Sequence, residues 1–259
     1  MSVDIQSIAA QLDGAALHRQ AVPQFAPGSF TLAQAYDIQR ASVACRQARG
    51  DTVCGIKLGF TSRAKMVQMG VDDLIWGWLT RQMREEEAAT VDLGKYIHPR
   101  VEPEVCFLTR RAIDRPLNAL EAVDYLEAVA PALEIIDSRY QDFRFSLEDV
   151  VADNCSSAGV VVGGWSRDFA ALGNAGVLVA QDGRITLTGS TAAILGHPLR
   201  AVVQAARLVA AAELSLPAGS LIMAGAATAA AALAPGQHVQ GQINGLGKVE
   251  FFTGGHQHG

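Results

Sequence analysis

The stretch that decides the fold is VEPEVCFLT, residues 101–109, entered through His98-Pro99-Arg100. It is a short, largely apolar run, and from about residue 97 onward the chain reads as a series of such strands. Residues two apart on a strand point to one face, so Glu102 and Glu104 project together. Pro103 between them has no N–H to give a ladder, which places this strand at an edge, or makes it irregular, beside a cavity. On spacing alone, the pair also fits the polar outer face of a half-buried strand.

Further strands are expected downstream in ALEIID, SAGVVVGG, AGVLVAQDG, GRITLTG, SLIMAG, HVQGQI and GKVEFF, with helices around 118–129 and 198–213. Pro235-Gly236 and Asn244-Gly245 mark turns near the end. Upstream the texture is helical. Ile5, Ile8, Leu12 and Ala16 share a face within 3–17, and Thr31 caps a second helix over 32–48. VCGIKLGF (53–60) reads as a strand, and Ser62 caps a short helix over 63–69. The expected class is α+β, helices first and then a mixed, largely antiparallel sheet or roll. We expect a single catalytic domain over 1–259, mainly helical in 1–80 and β-rich and metal-binding in 81–259.

A formal net charge of -5 provides no basic excess to neutralise phosphates, which argues against a nucleic-acid or anionic-membrane partner. No apolar run reaches the ~18 residues of a membrane span; Arg200, Gln204, Arg207, Glu213 and Pro217 interrupt the most apolar stretch, 199–234. Asp4 and Asp13 stand where a secretory signal would be basic. Cys45, Cys54, Cys106 and Cys155 lack C-x-x-C spacing and suit a reducing cytoplasm as core thiols. A phosphate-binding glycine loop is absent, so no nucleotide cofactor is expected. Glu85-Glu86-Glu87 is read as a solvated loop, because three adjacent side chains do not converge.

Glu134 lies inside ALEIID, a segment too apolar for a surface strand. A buried carboxylate is costly unless paired or bound to a cation. Three carboxylates from two strands suit a hard ion such as Mg²⁺ or Mn²⁺; the alternative is that Glu134 pairs with Arg139 or Arg100. Lys57 in GIKLGF either snorkels to the surface or is a desolvated cation with a task. The polar knot ADNCSS (152–157) caps a turn or donates to a ligand. His197 before Pro198 is read as structural, and His256 and His258 as tail residues.

Several long blocks in order carry a resemblance over about residues 30–252: GIKLGFTSRAKMVQMGV, IHPRVEPEV, ALEIIDSRYQDFRF, VVADNCSS, AAILGHPL and LPAGSLIMAGAATAA. In these the chain resembles the 2-keto-4-pentenoate hydratase / 2-oxo-3-hexenedioate decarboxylase family, related in fold to fumarylacetoacetate hydrolase, and within it the 4-oxalocrotonate decarboxylase branch. The resemblance implies a β-roll of the fumarylacetoacetate hydrolase type. It implies metal ligation by Glu102, Glu104 and Glu134, a catalytic Lys57, and substrate contacts from Ser156, Thr228, Ile75 and Arg139. The chain departs from the family at Leu74, where proline is usual, and in Gly225-Ala226-Ala227-Thr228-Ala229-Ala230, which lacks one glycine and an isoleucine. Both departures bear on substrate size.

Hydratases of the family tend to carry an acid at the position of Ile75, so Ile75 favours decarboxylation of 2-oxo-3-hexenedioate, a small 2-oxo acid, in the catabolism of aromatic compounds. Hydration of 2-hydroxypenta-2,4-dienoate is the alternative, and an acylpyruvate C–C hydrolase a further one. A catalytically weak partner of a sister hydratase is a fourth reading, against which the intact Lys57 and carboxylate trio argue. The resemblance also implies a homo-oligomer able to pair with a sister hydratase.

Overall fold

The computed structural model describes residues 3–62, 66–67, 71 and 73–255. The helix expected over 63–69 and the tail histidines His256 and His258 fall wholly or mostly outside these. Helices α1 (Ile5–His18) and α2 (Leu32–Ala48) come first. Asp4 accepts from the Ser7 N–H at the start of α1, and Thr31 forms a reciprocal capping box with Gln34 at the start of α2. Their buried faces (Ala9, Leu12, Ala35, Ile38) pack with Tyr140 and Val150–Ala152.

Thirteen strands are present among the described residues: β1 (Val53–Gly59), β2 (Ile75–Thr80), β3 (Arg84–Glu85), β4 (Thr90–Asp92), β5 (Arg100–Thr109), β6 (Leu126–Ile136), β7 (Ser157–Val162), β8 (Gly176–Gln181), β9 (Arg184–Ser190), β10 (Leu221–Ala226), β11 (Ala231–Ala232), β12 (His238–Ile243) and β13 (Gly247–Gly254). One sheet runs β2-β1-β10-β5-β6-β7-β3 with β11 added beside β5; a second runs β4-β13-β12-β8-β9. The ladders β1–β10, β13–β4 and β3–β7 are parallel and the rest antiparallel.

The first sheet curls into a roll. Leu79 on β2 and Val160 on β7, far apart in strand order, share one small core with Cys106, Ala132, Leu221 and Met223. The opposite faces of β5 and β6 (Val101, Leu133, Ile135) pack on Val179, Val239, Val249 and Phe251 of the second sheet. Short helices α3 (Ala119–Ala122) and α4 (Leu147–Ala152) and the amphipathic α5 (Leu199–Ala211) complete the fold. The apolar side of α5 covers Ile56, Leu58, Phe107 and Ile222 from outside the roll.

One expectation is corrected and two are sharpened. The helix around 118–129 ends early: β6 begins at Leu126, because its run is buried on both faces and does not alternate. Ile75–Thr80, counted within the mainly helical part, is a strand pairing with β1. The strand holding Pro103 lies inside the sheet, between β10 and β6, and it is the irregular alternative that holds. The β10 register shifts between Met223 and Ala226, and the Ala227 N–H bonds to the Pro103 carbonyl, so no ladder donor is demanded of the proline.

Candidate active site and metal centre

In the β5–β6 ladder Glu102 stands directly opposite Glu134, and Glu104 opposite Ala132. Cross-strand partners and i, i+2 neighbours share a face, so one ladder brings all three acids together. One oxygen of each lies within 4.8 Å of the others. Glu134 and Glu104 are buried, at 0% and 1% exposure, and Glu102 is half-buried. Gly225 N–H donates to Glu104 Oε2 at 2.8 Å. Glu104 Oε1 accepts no hydrogen bond among the described residues, and the Glu134 carboxylate has Lys57 on one side only, at its Oε2. Buried acceptors left in this way are rare in proteins, and they suit a cation that takes oxygen ligands.

Lys57 is 5% exposed, so it does not snorkel. It projects from β1 on the same sheet face as Met223, with which it is paired in register. Across a flat sheet β1 and β6 would lie roughly 14 Å apart; the curl lets Lys57 Nζ approach Glu134 Oε2 to 3.2 Å. It also donates to the Cys155 carbonyl at 3.0 Å. The ion pair of Glu134 is thus with Lys57, and the alternatives Arg139 and Arg100 are excluded. Burial works to lower the lysine, but Glu134, Cys155, Glu102 and Glu104 outweigh it and hold it above its ordinary value. Burial, then the charge of Glu134, pushes Glu104 well up; burial also raises Glu134, against the pull of Lys57. With all three carboxylates deprotonated, as a metal ion requires, they and the one ammonium leave two negative charges, which a divalent cation cancels.

The Cys155 carbonyl and the Ser156 side chain come from a turn in which Asn154, Cys155 and Ser156 all have φ between 50 and 57°. Three consecutive left-handed residues without glycine are strained and persist only where the surroundings impose them. Asn154 Oδ1 accepts from the Trp78 N–H at 2.7 Å and its Nδ2 donates to the Trp78 carbonyl at 2.9 Å. Gln39 Nε2, from α2, donates to the carbonyls of Val151 and Trp76. Ser156 Oγ is buried without a partner among the described residues.

Lys57, Glu102, Ser156, Ile75 and Thr228 line one cavity of about 540 Å³, and the buried Glu104 and Glu134 stand beside Glu102. Ile75 is buried in its wall beside Phe143, Phe145 and Val150. The Thr228 hydroxyl donates to the Ala229 carbonyl at 2.8 Å. His197 is structural, its Nδ1 accepting from the Leu199 N–H as α5 begins.

Residues 63–251 match the family described as fumarylacetoacetate (FAA) hydrolase C-terminal. The chain belongs to this family. It is 52% identical over 252 residues to a 4-oxalocrotonate decarboxylase of a Pseudomonas sp, covering 97% of this chain and 98% of that one. It is 38% identical over 221 residues to a 2-keto-4-pentenoate hydratase of Paraburkholderia xenovorans (strain LB400), covering 83% and 81%. The solved 4-oxalocrotonate decarboxylase from Pseudomonas putida G7, complexed with magnesium and adipate, superposes with a TM-score of 0.91 at 35% identity, over 96% of this chain and 97% of that one.

In this member of the fumarylacetoacetate hydrolase family, Arg139 does not line the Lys57 cavity, which corrects its assignment to substrate contact. It is buried, forms an ion pair with Asp153, and donates to the Ser157 carbonyl at 3.3 Å, facing a separate cavity of about 340 Å³. Burial lifts Asp153 to about 6, although Arg139 pulls it down. The pair braces the left-handed turn from behind. Gln39 was missed, since one glutamine on a helix carries no signal of its distant acceptors. Phe143 and Phe145 were missed as cavity walls, although two aromatics in the polar segment QDFRF were a legible sign.

Proposed function

We propose that this chain is a divalent-metal-dependent decarboxylase that converts 2-oxo-3-hexenedioate to 2-hydroxypenta-2,4-dienoate and CO₂. The observation that carries the reading is a buried ammonium set beside three carboxylates at a cavity walled by Ile75 and phenylalanines. The 52% identity to a 4-oxalocrotonate decarboxylase supports it. Glu102, Glu104 and Glu134 would hold Mg²⁺ or Mn²⁺; a bound divalent ion supplies Lewis-acid stabilisation of negative charge on a substrate oxygen.

The C5–C6 bond of the substrate breaks, C6 leaves as CO₂, and the electron pair moves through the conjugated chain to the 2-oxygen. Lys57, fixed by Glu134 and the Cys155 carbonyl, places a positive charge and a donatable proton beside that oxygen. Held in a low-dielectric site, such a group acts without reorganising. Ser156 Oγ, without another partner, orients a carboxylate. The apolar wall around Ile75 keeps water from the conjugated chain as negative charge moves along it. We take residues 1–259 as one catalytic domain, because β1 and β2 share a sheet with β5–β7 and the cavity draws on both. The free cysteines fit a cytoplasmic setting. Self-association, and docking on a hydratase that consumes the product, belong to the same proposal, and light scattering of the chain alone and mixed with such a hydratase checks both.

The hydratase reading is the second, favoured by the 38% identity to a 2-keto-4-pentenoate hydratase. A paired assay decides. Metal-loaded protein is expected to release CO₂ from 2-oxo-3-hexenedioate and to leave 2-hydroxypenta-2,4-dienoate unhydrated. Rapid loss of the dienoate with the dioate untouched reverses the assignment, and full activity after metal stripping removes the metal from the reading.

A further inference from the structure

Arg100 opens β5 two residues ahead of Glu102, so it leaves the strand on the face that carries the acids. It lines the same cavity as Lys57, Glu102 and Ser156, but it is exposed where Glu104 and Glu134 are buried, which puts it at the mouth. Its guanidinium carbon lies 4.2 Å from the centroid of the Phe143 ring. Its guanidinium forms no ion pair or hydrogen bond with a described residue, and Lys57, the other cation among the described residues that line the cavity, is already engaged by Glu134 and Cys155. A guanidinium held over a ring by its face keeps its in-plane N–H fork for an acceptor.

The support under Arg100 is itself imposed by the fold. Asp142 and Phe143 both lie in the left-handed region, at φ 57° and 58°. The Phe143 ring also meets the His98 ring, with centroids 5.0 Å apart. Non-glycine residues held so mark segments whose conformation the surroundings dictate, and such strain gathers at ligand clamps. The spacing fits a ligand as well. Residues two apart on a strand are separated by about 6–7 Å. Five C–C bonds of about 1.5 Å each, in zigzag, carry the ends of a six-carbon dioate about the same distance apart.

We infer that Arg100 docks the second carboxylate of the substrate, the one distal to the 2-oxo acid end, and so selects dicarboxylates over monocarboxylates. The inference rests on the decarboxylase reading and names the group that recognises its dianionic substrate. Loss of CO₂ removes the anion that Arg100 holds, so the product keeps only its contacts at the acid end. The interaction belongs to the bound substrate and is not strengthened as the bond breaks. Its removal therefore raises KM and leaves kcat unchanged or higher.

The test uses two unreactive probes on the metal-loaded chain, hexanedioate and hexanoate, titrated by calorimetry. The unaltered chain is expected to bind the dicarboxylate more tightly. Arg100→Gln should weaken hexanedioate about ten- to a hundredfold, the range of a hydrogen-bonded charge, and leave hexanoate within about twofold. Arg100→Lys should recover part of the loss, since it keeps the charge but not the fork. Equal losses for both probes, or none for either, overturn the inference. CO₂ release with an unchanged KM in Arg100→Gln overturns it too. Failure of the unaltered chain to release CO₂ removes the decarboxylase reading instead, and the probe titration still decides the role of Arg100.

Discussion

Lys57 and Glu134 each keep the other tolerable in the interior, and this makes the effect of changing either one specific. Lys57→Ala removes the cation that faces the developing negative charge, and we expect kcat to fall on the order of 10²-fold with little change in KM. A normal kcat in steady-state assays would relieve Lys57 of that role. Glu102→Gln, Glu104→Gln and Glu134→Gln each remove one charged ligand and should sharply weaken Mg²⁺ binding by calorimetry while leaving the circular dichroism spectrum intact. Acidity adds a signed prediction. Glu104 and Glu134 are raised above their ordinary 4.5 by burial. In the metal-free chain their contribution to stability is therefore complete below the unfolded value and is lost as pH rises through the folded one. Bound metal needs the deprotonated forms, so its stabilisation grows in the same direction. The difference in melting temperature between loaded and stripped protein should widen from pH 5 toward neutrality, and calorimetric scans at a series of pH values measure it.

Among the elements, the β10 bulge and the left-handed turn position most of the site. Gly225, at φ 101°, gives its N–H to Glu104, and a Cβ there would stand 2.1 Å from Thr61 Oγ1. Gly225→Ala should push these segments apart and weaken metal binding, although residue 225 ligates nothing; an unchanged metal affinity would show that the bulge tolerates the methyl. Behind the turn, removing one partner of the buried Arg139–Asp153 pair strands a charge, and Arg139→Met is expected to cost about 3–5 kcal/mol in denaturant unfolding. Restoring stability with the double change Arg139→Met, Asp153→Leu would show that the penalty lies in the unpaired charge. The pairing of Arg139 with Asp153 was not legible in the sequence, because the two lie 14 residues apart across a turn without glycine. The acids were legible. Glu102 and Glu104 follow from strand period, and Glu134 follows from its apolar flanks. LEAVAPALEII was ambiguous for a physical reason: a strand buried on both faces shows no alternation, and its Ala, Leu and Glu are also good helix formers.

For the molecule as a whole, the expected α+β roll is present, but the division at residue 80 is not how the sheet is built. IWGWLT was read with the helical part because nothing in it announces that β1 will pair with it. β1 itself connects to the acid-bearing strands only through β10, its parallel neighbour, with Lys57 in register with Met223. That pairing spans more than half of the chain, and it has a bearing on synthesis. The lysine strand leaves the ribosome long before the strand that seats it. Loop closure of this length is slow and must wait until most of the polypeptide exists. A nascent chain halted before residue 221 would carry Glu102, Glu104 and Glu134 on an already pairable hairpin, with Lys57 still adrift from them. The carboxylates can therefore assemble during translation, and the chemistry that depends on the lysine waits for Leu221–Ala226.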